Sequence, residues 1–135
     1  MTAHRGRRMH SGPRPMRTEI TRRFRFEAAH RLPHVPEGHK CARLHGHSFR
    51  VAVVVAGEVD AALGWIVDYA DLDRAWEPLH ALLDHRYLNE VPGLDNPTSE
   101  RIAALILERF SVRGARVVRV HLDETCNAGV TVYAD

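Results

Sequence analysis

The chain holds only two cysteines, Cys41 and Cys126, too few for a disulfide framework, so a small scaffold held together by bridges is excluded and both residues are expected as thiols. No apolar run is long enough to span a bilayer, and no apolar segment near the N-terminus has the form of a secretory signal. A membrane-spanning helix is therefore not expected, and the expected location is the cytoplasm. There is no internal repeat, and no low-complexity tract beyond the first residues.

What is present is 44% hydrophobic and 27% charged over 135 residues, the range of one compact domain with a sizeable core. The net charge of +2 is unevenly placed: eight arginines and one glutamate precede Phe26, giving +7 there and −5 for the remainder. Residues 1–17, rich in Arg, Gly and Pro and without apolar periodicity, read as a disordered basic arm, with Met16 an alternative start. Residues 18–135 read as a single domain.

Hydrophobic period assigns the elements. Ile20, Phe24, Phe26, Ala28 and His30 share one face of a strand, with Arg22 the exception, while Thr21, Arg23, Arg25 and Glu27 face away. A proline-containing loop leads to a second strand, 45–59, whose apolar face carries Phe49, Val51, Val53 and Val55 and, by the same period, His45 and His47. Asp68 caps a helix from Tyr69 with a stripe of Leu72, Trp76, Leu79 and Leu83, which Pro78 is expected to break or kink. Asn96 or Thr98 caps a second helix carrying Ile102, Leu105, Ile106 and Phe110. A third strand, 116–124, sets Val118, Val120, Leu122 and Glu124 on one face, and a fourth covers 130–133. The order is ββααββ, an α+β domain with a four-stranded antiparallel sheet and both helices on one side.

The chemistry concentrates at strand ends. His45 and His47, two apart on a strand, project from one face with Cα atoms about 6.6 Å apart, and His30 ends the apolar face of the other strand. Gly46 between the pair permits close backbone approach. Three neutral imidazoles suit Zn²⁺ and leave a fourth tetrahedral position open, as in a catalytic zinc site. Three satisfied core histidines are the plain alternative; their place at the ends of two apolar faces favours the metal. Cys41 either closes that site as a fourth ligand or acts beside it as a base, where the charge of Lys40 and of the metal favours the thiolate. Asp84 can fix the tautomer of His85 to form a proton-transfer pair, or the two simply end a helix. Glu124 is either solvated beyond the core or a bidentate acceptor for a planar N–H edge such as that of a pterin or guanine.

Together these stretches, "FEAAHRLPHVPEGHKC", "RLHGHSF", "LDHRYLN", "NPTSE" and "ETCNAG" in order, resemble the 6-pyruvoyltetrahydropterin synthase family from Thr18 to Tyr133, and within it the branch forming 6-carboxy-5,6,7,8-tetrahydropterin for 7-deazapurine (queuosine) synthesis. The resemblance implies zinc on His30, His45 and His47, Cys41 as general base, Asp84 with His85 as proton relay, and Glu124 as pterin anchor. It implies 7,8-dihydroneopterin triphosphate as substrate. It also implies the tunnelling fold, whose subunits join their sheets into a barrel as trimers and hexamers with active sites between them, which would cover the sheet edges. Some relatives acting in folate synthesis carry Glu where this chain has Cys41, which argues against that branch. Two other readings are a pyruvoyl-forming enzyme, which eliminates triphosphate without cleaving a carbon–carbon bond, and a non-catalytic zinc protein binding nucleic acid through the basic arm.

Overall fold

The computed structural model describes residues 16–135, so the expected arm lies, up to residue 15, outside the described residues. Strand β1 spans Glu19–His30 and pairs antiparallel with β2, His45–Ala56, over its whole length. Helix α1, Tyr69–Leu83, follows, then the two-residue strand β3, Arg86–Tyr87, helix α2, Ser99–Arg109, and strands β4, Arg116–Thr125, and β5, Ala128–Tyr133. The sheet order is β3-β1-β2-β4-β5. The α+β class and the two helices are as the sequence predicts, but the sheet has five strands, not four, and β3 runs parallel to β1. A two-residue strand carries no alternation to read. It forms because the segment after α1 is tied to β1, with the Glu27 N–H donating to Asp84 Oδ1 and the His85 N–H donating to the Glu27 carbonyl.

The alternating faces bury as expected on β1 and β2: Phe26, Phe49, Val51, Val53 and Val55 are all at or below 2% exposure. Phe24 stacks on Trp76 of α1 with ring centroids 4.8 Å apart, and Phe26 stacks on Phe49 at 4.9 Å. Arg22, the exception on the apolar face, reaches Asp73 of α1 through Nε and Nη2 at 2.8 and 2.9 Å, a bidentate pair that satisfies the guanidinium at the rim. Strand β2 ends at Ala56 rather than residue 59. A Cβ on Gly57 would lie 2.8 Å from Ile66 Cγ2 and 3.0 Å from the Gly114 carbonyl, so the chain leaves the sheet where only glycine fits.

Two other expectations are corrected. Helix α1 runs unbroken through Pro78, which lies on its exposed side, where the Arg74 carbonyl left without a partner can meet water. On β4 the pairing passes from Val54–Arg119 to Val55–Val117, a bulge that turns Val117, not Val118, toward the core. A second irregularity, between Asp123–Gly129 and Thr125–Ala128, leaves Glu124 as the unpaired residue of the β4–β5 ladder. Both helices pack on one sheet face, sharing a core with Val120 and Leu122.

Candidate active site

The three histidines meet because of strand register. His30 lies directly opposite His45 in the β1–β2 ladder, and His47 opposite Ala28, so three imidazoles crowd the end of the core-facing side. Their ring centroids are 4.6 to 5.3 Å apart, and one nitrogen of each lies within 4.8 Å of the other two. A Cβ on Gly46 would meet the Ala28 carbonyl at 3.3 Å, so the close approach of the strands favours glycine there.

The rings are oriented from behind. His30 Nδ1 donates to the Pro97 carbonyl at 2.8 Å, just before α2, and His45 Nδ1 donates to the Arg43 carbonyl at 2.7 Å. A carbonyl only accepts, so each neutral ring carries its lone pair on Nε2. Among the described residues, the buried side-chain nitrogens and oxygens without a hydrogen-bond partner are His30 Nε2 and His47 Nε2. Phe49 stands edge-on below both rings, with centroids at 5.7 and 5.5 Å. Burial pushes the His30 and His47 pKa values down, against the Pro97 bond and Glu124 for His30 and against Glu124 for His47. Neutral, oriented imidazoles with unpaired lone pairs are what a zinc or similar divalent ion requires, and the donor set fits one.

Glu124 reaches the same place. Glu124 shares the core-facing side of β4 with Val120 and Leu122 and turns its carboxylate to the histidines, with Oε1 3.7 Å from His30 Nε2 and Oε2 3.7 Å from His47 Nε2. Ser99 Oγ, on the first residue of α2, donates to Oε1 at 3.1 Å. The start of α2, set by the Thr98 cap, thus supports both His30 and Glu124.

Cys41 sits half-buried in a single 3-10 turn, Lys40–Ala42, outside the histidine cluster. Its N–H donates to His39 Nδ1 at 3.0 Å, and its carbonyl accepts from the Leu32 N–H at 2.8 Å. Asn89 fixes the neighbouring backbone: its Oδ1 accepts from the Arg31 N–H at 3.0 Å while its Nδ2 donates to the Arg31 carbonyl at 2.8 Å. The segment carrying Cys41 is therefore pinned to the segment following His85. Sequence reasoning missed Asn89 and Ser99, although both lie in stretches, "LDHRYLN" and "NPTSE", that it singled out.

Asp84 ends α1 and serves two donors, the Glu27 amide at 2.9 Å and His85 Nδ1 at 2.7 Å. The Glu27 bond, then the one to His85, holds the Asp84 carboxyl below its usual range. The bond to Asp84 raises the His85 pKa. His85 adopts φ 58, a left-handed conformation uncommon outside glycine, and its N–H donates to the Glu27 carbonyl. Its ring is exposed and borders a groove of about 560 Å³ shared with Glu27, Ser48, Arg86 and Tyr87. Glu27 and Ser48 lie on the strand face turned from the helices, and Ala28, Gly46 and His47 line the same groove, so it runs between His85 and one member of the histidine cluster.

The family profile described as 6-pyruvoyl tetrahydropterin synthase matches residues 19–135. The chain is 45% identical over 123 residues to 6-carboxy-5,6,7,8-tetrahydropterin synthase of Synechocystis, an alignment covering 85% of this chain and 92% of that protein. It is 38% identical over 95 residues to dihydroneopterin monophosphate aldolase of Pyrococcus furiosus, covering 70% and 76%. Among solved structures it superposes on 6-pyruvoyl tetrahydropterin synthase of Caenorhabditis elegans with TM-score 0.80 at 26% identity, covering 92% of this chain and all of the other.

Proposed function

Because the chain belongs to the 6-pyruvoyl tetrahydropterin synthase family, we propose that it is a zinc-dependent carbon–carbon lyase that converts 7,8-dihydroneopterin triphosphate to 6-carboxy-5,6,7,8-tetrahydropterin, acetaldehyde and triphosphate, a step toward 7-deazapurines such as queuosine. The observation that carries this reading is the convergence of three imidazoles with two buried Nε2 atoms left without partners, in a chain sharing 45% identity with a protein of that name.

His30, His45 and His47 would hold Zn²⁺, which supplies Lewis acidity toward the oxygens of the substrate side chain. Glu124 anchors the pterin by accepting from its amino-pyrimidinone N–H edge with both carboxylate oxygens. Cys41, as thiolate, takes a proton from the side chain, and the pinning of its loop through Leu32 and Asn89 sets its reach. His85 gives a proton back. With Nδ1 committed to Asp84, Nε2 is the nitrogen left to face the reaction, and the hydrogen bond to Asp84 favours the protonated ring by raising its pKa. One water is consumed as triphosphate leaves, and the side chain divides into a carboxylate on the ring and a two-carbon aldehyde.

One chain does not gather all these groups in one cavity: the groove that His85 borders is lined by His47 but not by Cys41 or Glu124. We therefore place the complete site between subunits of a homo-oligomer, a trimer or hexamer, which also covers the edge that the two-residue β3 leaves on β1. No described helix is long and apolar enough to cross a membrane, and the cytoplasm is the setting we assign.

A second reading keeps the residues and changes the substrate's phosphate count, since the P. furiosus relative is named a monophosphate aldolase. A pyruvoyl-forming reaction would use the same residues without breaking a carbon–carbon bond. A non-catalytic zinc protein binding nucleic acid through its arm leaves the Asp84–His85 pair without a role. Metal analysis and turnover of His45→Ala test the metal reading: the folded variant should lose both its zinc and its activity. Stoichiometric zinc in that variant would overturn the three-histidine site.

A further inference from the structure

The Asp84 carboxylate has a third neighbour. Its Oδ1 accepts from the Glu27 amide at 2.9 Å and its Oδ2 from His85 Nδ1 at 2.7 Å, while His80 Nε2 stands 3.5 Å from that same Oδ2. His80 lies one turn before Asp84, so α1 itself brings the two together as an i, i+4 pair. The His80 carbonyl also accepts from the Asp84 N–H at 2.8 Å, and its ring lies against Trp76 with centroids 6.4 Å apart. Two imidazoles thus face one carboxylate oxygen, and neither the end of the helix nor the Asp84–His85 pair requires the second.

What the second imidazole does depends on its charge. At 3.5 Å a neutral His80 is outside the 2.7–3.2 Å of a hydrogen bond and leaves Oδ2 to His85. A protonated His80 is a cation beside the anion that holds the His85 proton, and it opposes a second positive charge at the same oxygen. The shared carboxylate is 20% exposed, against 48% for His80 and 78% for His85, so it is better shielded from solvent than either ring.

The chemistry of the pair gives that opposition a use. Asp84 raises the proton affinity of His85, which makes the ring easy to charge and reluctant to give its proton away. Glu27, from β1, acts in the same direction as Asp84. Arg86, from β3, turns its guanidinium to the Ala81 carbonyl and keeps its charge throughout, while Tyr87 and His47 line the groove that His85 borders. His80 is the titratable cation placed on the carboxylate itself.

We propose that His80 is a positioning residue for proton transfer: it shares Asp84 Oδ2 and titrates against His85, so that charging His80 loosens the proton that His85 returns to the substrate. This rests on the proposed role of His85 as proton donor and deepens it.

The test follows the His85 ring by NMR in full-length, zinc-loaded protein with labelled histidine, its signal assigned by its loss in His85→Gln, and needs no turnover. His80→Gln removes the charge, and His80→Lys makes it permanent; both are good helix formers at an exposed position. His85 should bind its proton about two- to threefold more weakly in the Lys variant than in the Gln variant, the scale of an exposed ion pair. Wild type should follow the Gln variant at high pH and the Lys variant at low pH. In turnover, kcat of the Lys variant should fall at lower pH than that of the Gln variant, with KM unchanged, a split that a structural role for His80 would not produce. The same His85 titration in all three proteins would overturn this inference, and a Gln–Lys difference that persists when Asp84→Asn is added would overturn the shared oxygen as its route. Full turnover by His85→Gln would instead overturn the proton-donor reading beneath it.

Discussion

Removing the metal should make the protein acid-sensitive in a defined window. His30 is 1% exposed and its pKa is lowered mainly by burial, so between its folded pKa and the unfolded value near 6.5 the unfolded chain binds a proton that the folded chain refuses. Its contribution is intact above pH 6.5 and is lost as pH falls toward the folded pKa. One proton corresponds to a slope of at most about 1.4 kcal/mol per pH unit, which is about 3–6 °C in Tm per pH unit for a domain of this size. His47 shifts in the same direction and adds to the slope, discounted because its ring is partly exposed. His85 has a raised pKa and the opposite sign, its contribution being lost as pH rises above 6.5, while the Asp84 contribution is lost only below its unfolded value of about 3.8. The fall between pH 6.5 and 5.5 therefore belongs to the cluster. Thermal denaturation of chelator-treated protein should show it, His30→Phe should flatten it, and saturating zinc should reduce it, since a ligating nitrogen cannot take a proton. A metal-free Tm that is level or rises as pH drops through this window would refute the account of His30 as a neutral, desolvated imidazole.

Two substitutions separate chemistry from architecture. Cys41→Ala should keep its metal, bind pterin and lose turnover, because the thiol lies outside the histidine cluster; loss of metal on analysis of the purified variant would make Cys41 a ligand instead. Asn89→Ala removes two hydrogen bonds to the Arg31 backbone and should cost about 1–3 kcal/mol by urea denaturation while changing the iodoacetamide reactivity of Cys41; unchanged alkylation kinetics would show that the clamp does not position the thiol.

The histidine cluster was legible in part because period two puts residues 45 and 47 on one face and His30 at the end of the apolar face of β1, while the register that sets His30 opposite His45 is a property of the pairing. The core faces of β1 and β2 were legible for the same reason. Bulges were not, because an extra residue in one strand appears only when its partner is known. That is why Val118 was placed where Val117 lies, and why the unpaired position of Glu124 did not emerge from spacing. The short β3 and the Asn89 clamp depend on pairing between residues about 57 positions apart, a separation at which local pattern carries no information. Pro78 misled in the other direction: α1 continues through it, with the Arg74 carbonyl that it leaves without a partner on the exposed side.

The central claim is cleavage of the side chain, and product stoichiometry tests it most directly. Zinc-loaded protein given 7,8-dihydroneopterin triphosphate should release acetaldehyde, captured by an aldehyde trap, in equal amount to triphosphate, with a 6-carboxy pterin identified by mass. Triphosphate released without acetaldehyde, and a pterin retaining all three side-chain carbons, would contradict it.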